Sequence, residues 1–188
     1  GAVRLDGTDP LERPIRYRRG IGYLPEACPL YDEMTVEGYL TYRARLKGER
    51  SLRVRRRVGE TLETCGLEES RKSPIRLLSH GLRKRLGLGE AILMHPKALL
   101  LDDPFAGLDL AHRRKLAAAL TSISTRTALL LAGHEIHEMM RFCTRFVVLR
   151  GGRLSAAYRG GEHGKAELAR ALESQVSAVG GGEGEGSG

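Results

Sequence analysis

The sequence predicts an α/β fold: a mostly parallel sheet with a block of helices set into it. Three observations predict it. Residues 98–101 (ALLL) and 127–132 (TALLLA) are short, continuous apolar runs, as expected of strands buried on both faces. A helical pattern lies between them and another follows, the alternation that builds parallel sheets through right-handed crossovers. Residues 36–94 instead hold three helical patterns in succession, as an all-helical insert would.

Taken in order, residues 2–7 alternate in polarity and end in Asp6-Gly7, a turn signal. Residues 18–24 (RRGIGYL) read as a short strand before Pro25. Thr35 is an N-cap for a helix over 36–46, whose Val36, Tyr39, Leu40 and Tyr42 are mostly apolar. A second helix over 52–65 stops at Gly66. Its stripe of Val54, Val58, Leu62 and Cys65 puts Arg53, Arg55, Arg56 and Arg57 on the solvated face. A third helix runs over 79–94 and is stopped by Pro96. After the strand at 98–101 comes a helix over 110–123 with Leu116, Ala119 and Leu120 inward. The strand at 127–132 leads to a short helix over 136–142, and a strand at 146–149 is turned by Gly151-Gly152 into 153–156. A last helix covers 166–176, and residues 180–188 (GGGEGEGSG) read as a disordered low-complexity tail. No internal repeat is present.

Composition narrows the function classes. At 188 residues, 41% hydrophobic and 29% charged, the chain is long enough for one domain with a real core. No apolar run approaches the ~18 residues of a membrane-spanning helix, and GAVRLDGTDP is not a signal peptide. Cys28, Cys65 and Cys143 lie far apart, outside any metal-binding spacing, and are expected as free thiols. The net charge of +8 and pI near 9.8 keep nucleic acid and anionic membrane in view. Aromatics are 5% and none interleaves with the run 53–57, which argues against a base-stacking surface.

Several residues invite chemistry. Asp102 and Asp103 follow a buried parallel strand, at the sheet edge where open α/β folds bind ligands. The first is placed to hold Mg²⁺ and the second to orient or deprotonate a water; the plain alternative is a pair of turn-capping aspartates. His134 follows the next strand and reaches the same edge if the two strands are neighbours, where a neutral imidazole can bond a phosphate or the water. Otherwise it is an ordinary strand-end histidine. Ser79-His80-Gly81 opens a helix whose free N–H groups and dipole suit a phosphate, with Arg83, Lys84 and Arg85 adding charge; by itself this is only an N-cap. His80, His95, His112, His137 and His163 read as surface residues. No G-x-x-x-x-G-K-[ST] phosphate loop occurs in the sequence.

In combination, LSHGLRKR, ALLLDDP, AGLD and LLAGH resemble the nucleotide-binding domain of ATP-binding-cassette (ABC) transporters, most like the ABC-2 exporter type, over about residues 2–154. The resemblance implies a P-loop NTPase-like sheet, incomplete at its N-terminus, over residues 1–179, with a helical subdomain over about 27–95. It implies an ATPase using ATP and Mg²⁺. Ser79, His80 and Gly81 lie in the family signature, facing the γ-phosphate held by the opposite subunit. Asp102 is in the Mg²⁺ position and Asp103 in the catalytic-base position. Asp109 lies in the loop that crosses the dimer interface, and His134 is in the γ-phosphate sensor position. IGYLPE resembles the loop that touches Mg²⁺, with Glu26 where most relatives carry Gln. The implied partners are a second ATPase subunit, head to tail, and an integral membrane permease. The implied location is the cytoplasmic face of the cell membrane.

Four departures stand against the family pattern. The phosphate loop with its strand and helix, about 40 residues in such a unit, is not found, so a fragment inactive by itself is expected. Asp103 replaces Glu, Glu26 replaces Gln, and His80 and Leu82 stand where Gly and Gln are usual. Two other readings remain: a non-catalytic module that complements a partner carrying the loop, and an ABC protein of nucleic-acid work.

Overall fold

The computed structural model describes residues 2–160 and 165–180. The chain gathers into two units, Gly1–Ala132 and Gly133–Gly188.

The first unit is built on a three-stranded parallel sheet of β1 (Ile21–Leu24), β2 (Ala98–Asp102) and β3 (Ala128–Ala132), in that order. Leu24 pairs with Leu101, and Leu101 with Leu131. The expected strands therefore form and lie side by side. Their burial on both faces does not hold. Leu24, Leu99 and Leu101 are at most 2% exposed, whereas Tyr23 and Leu130 on the opposite face are 55% and 68% exposed. A continuous apolar run makes both faces of a strand apolar; whether each is covered depends on what packs there.

The helical block comprises α2 (Val36–Leu46), α3 (Ser51–Cys65), a 3-10 turn (Ile75–Leu77) and α4 (His80–Ile92). Thr35 caps α2 as expected, its Oγ1 accepting from Gly38 N at 3.1 Å. The α3 stripe of Val54, Val58, Leu62 and Cys65 is buried, and the helix ends at Gly66. Helix α2 packs on α3, α3 on α4, and α4 on β1. The last contact is close: a Cβ on Gly22 would overlap the Ala91 carbonyl, so glycine is required there. Glu90 of α4 gathers Tyr39, Arg43 and Lys47 of α2 and its end, tying the two helices together by charge-assisted bonds. Helix α5 (Leu110–Ser124) buries Leu116, Ala117 and Leu120.

The entry to the sheet departs from expectation. Residues 14–19 form a short helix, α1 (Pro14–Arg19), and the strand is confined to β1. Pro14 at the first helical position and three arginines in the last turn favour that helix. Asp6 and Gly7 make the expected turn, with mutual backbone bonds between Leu5 and Thr8.

The second unit holds α6 (Ile136–Met139), an antiparallel hairpin of β4 (Arg145–Arg150) and β5 (Arg153–Arg159), and α7 (Lys165–Gly180). Helix α6 is shorter than the sequence implies; α7 and β5 are longer. Phe146, Val148, Leu168 and Leu172 form its core. Gly180, read as the start of the tail, ends α7. Residues 181–188 lie outside the described residues. The three cysteines are free thiols; burial pushes Cys65 up to about 12.

Candidate functional site

The carboxyl edge of the sheet is built by register. Because Leu24 pairs with Leu101, the chain leaves β1 through Pro25 and Glu26 at the edge where β2 ends in Asp102. Asp102 and Glu26 are exposed there. Asp103 has a left-handed φ of 39°, tolerable for aspartate, and its N–H donates to Ala132 O at 2.8 Å. That bond ties the backbone of Asp103 to the end of the neighbouring strand. Among the described residues no cluster of three or more His, Cys, Asp and Glu could hold a metal by itself. The donor set fits Mg²⁺ all the same. That ion takes one or two carboxylates and fills its octahedron with water and phosphate oxygens, and Asp102 and Glu26 offer exposed carboxylates at one edge.

The start of α4 is a second element. Ser79 is its N-cap, with Oγ accepting from Leu82 N at 3.3 Å. Asp109 caps α5 in the same way and accepts from His112 N at 2.8 Å and from His112 Nδ1 at 2.9 Å. These bonds, the backbone one first, hold the Asp109 carboxyl below the usual carboxylate range. The His112 ring lies directly against Gly81, where any Cβ would overlap it. Ser79-Gly81 and Asp109 are therefore brought together, and His112, read from the sequence as a surface residue, joins them. No spacing signal marks that contact, because 31 positions separate Gly81 from His112.

The three basic residues expected to add charge at this helix start are committed elsewhere. Arg83 Nη1 donates to Asp32 Oδ1 at 2.6 Å and to Ile75 O at 3.1 Å. Lys84, 2% exposed, donates from Nζ to Glu26 O at 2.9 Å. Arg85, 3% exposed, donates from Nη1 to Cys65 O at 3.0 Å and Gly66 O at 2.6 Å, closing the C-terminal end of α3.

β2 and β3 are neighbours, as the expectation for His134 required, and His134 stands two residues past the end of β3, inside the second unit. A cavity of about 340 Å³ lies away from all these residues, beside Glu60, His95 and Arg126.

Comparison with known proteins shows the family and the fold. The sequence profile of the ABC transporter family matches residues 1–106. An uncharacterised ABC transporter ATP-binding protein of Bacillus subtilis, YxlF, is 34% identical over 155 residues, covering 82% of this chain and 51% of that one. The Fe(3+) ions import ATP-binding protein FbpC of Streptomyces coelicolor is 30% identical over 157 residues, covering 82% and 45%. The solved structure of an ATP-binding subunit of an ABC transporter superposes with a TM-score of 0.76 at 27% identity, over 92% of this chain and 76% of that one. The chain spans about half the length of these two curated relatives. It belongs to the ABC transporter family and has the α/β fold of that family's ATP-binding subunits.

Proposed function

We propose that this chain forms part of the ATP-hydrolysing subunit of an exporter-type ABC transporter, supplying carboxylates to one ATP and a capped helix start to another. The observation that carries this is the parallel register of β1, β2 and β3, which puts Glu26, Asp102 and Asp103 on one edge of the sheet. In this reading Asp102, with Glu26, holds Mg²⁺. When bound, the ion supplies charge neutralisation to the β- and γ-phosphates. Asp103 orients the attacking water and takes its proton. Its side chain is one CH₂ shorter than the usual Glu, so its positioning of the water is expected to be poorer. His134 hydrogen-bonds the γ-phosphate.

Ser79, His80 and Gly81 face the γ-phosphate of ATP carried by a second subunit, where the N–H groups of α4 favour an anion. Asp109 lies at the same dimer interface. The phosphate loop that must hold the other side of the nucleotide is not among these 188 residues, so turnover requires a polypeptide that contributes one. The partners of the working enzyme are that second ATPase subunit and a membrane permease on whose inner face it sits. Among the described residues no helix is long and apolar enough to cross a membrane. Similarity does not choose between import and export, since an import protein is among the relatives. By the family resemblance, Glu in place of Gln at position 26 also occurs in exporter-type members, which favours the exporter type.

The test is ATP turnover by a loop-complete protein, one polypeptide carrying both this sequence and the phosphate loop. Asp103→Asn is expected to lower turnover by about 10²–10⁴-fold while ATP-dependent association persists. Undiminished hydrolysis in that variant would overturn the role of Asp103.

A further inference from the structure

Two histidines, His80 of the signature and His112, which has no part in the expected chemistry, engage the turns around Ser79 and Asp109. His112, on the first turn of α5, lies against Gly81 so closely that no Cβ fits between them. His80, on the first turn of α4, lies against Gly107: a Cβ there would stand 3.2 Å from His80 Nε2. Each turn thus carries the imidazole that occupies the glycine of the other. Asp109 sets the aim of the first, because a carboxylate only accepts hydrogen bonds and so fixes the proton of His112 on Nδ1.

We propose that His80 and His112 form a reciprocal latch that holds the start of α4 and the 106–109 turn as one body. A phosphate arriving at Gly81 then re-aims Asp109 through His112 instead of through the length of either helix. That consequence rests on the ATP reading above, whereas the latch itself does not. His112 is a positioning residue, acting through Gly81 and Asp109.

The experiment is amide hydrogen exchange by NMR on the full chain without nucleotide, which keeps the outcome independent of ATP binding. The reporters are the amides of Ala106 and Leu108, bonded to Asp103 O and Phe105 O at 3.3 Å each. His112→Ala is expected to speed exchange at both by about fivefold. His112→Asn, whose amide can still donate to Asp109, should return them to within about twofold of the parent. Gly81→Ala, some 25 positions upstream of these reporters, should speed them in the parent and add nothing in the His112→Ala background. Amides of β2 should stay unchanged in all variants. Unchanged exchange at Ala106 and Leu108 in His112→Ala, or additive effects of the two substitutions, would overturn the latch. Adding ATP and Mg²⁺ to a polypeptide that also carries a phosphate loop tests the nucleotide reading separately.

Discussion

Two basic runs look alike in the sequence and end in opposite surroundings. Arg53, Arg55 and Arg56 on α3 are exposed, and Arg57 reaches back to Glu49 at 2.6 Å. Arg83, Lys84 and Arg85 on α4 are drawn inward, each to a different backbone or side-chain acceptor. The difference is in the company each helix keeps. α3 has an apolar stripe on one side and water on the other. α4 packs against α2, α3, α5 and β1, and three consecutive helical residues fan over about 200° of its circumference. A basic side chain there must find an acceptor or leave a charge buried. Positive charge near a helix start is therefore no guide to phosphate binding until the neighbours of that helix are known.

Arg85 provides the sharpest way to break the comparison. Arg85→Ala removes two bonds to carbonyls at the end of α3 and should cost about 3 kcal/mol, measured as a lower urea midpoint. Lys84→Met keeps the apolar stem but loses the bond to Glu26 O. It should cost about 1–2 kcal/mol and shift the Glu26 resonances in an NMR spectrum.

Arg57 gives a smaller, pH-dependent effect. Its side-chain bond holds the Glu49 carboxyl below the usual range. A depressed carboxylate contributes stability above its unfolded pKa, near 4.3, and loses it as pH falls through the folded value. Arg57→Ala should flatten that acid-side loss in unfolding curves taken on either side of pH 4.3. Arg55→Ala, at an exposed position, should change stability by less than about 0.5 kcal/mol. If Arg55→Ala and Arg85→Ala cost the same, the contrast between the two runs fails.

Much of this was legible beforehand. The α3 stripe, the Thr35 and Ser79 caps, and the two central strands follow from periodicity and local hydrogen bonding, which depend on neighbours within one or two turns. Helix α1 was missed because its six residues form less than two turns, too short for a period to show; Pro14 was the available signal. The contact of His112 with Gly81 had none.

By itself, then, the sequence determined the order of the elements after α1, the parallel sheet and the sheet edge to which Asp102 and Asp103 belong, because repeat length and capping are local properties of a chain. Tertiary structure alone decided that Glu26 shares that edge through the register of β1 with β2. It also decided that Lys84 and Arg85 are structural, that Leu130 is exposed, and that His112 lies on Gly81. Those outcomes are contacts between distant positions, and a contact is set by which surfaces meet when the chain closes on itself, not by the residues that flank it.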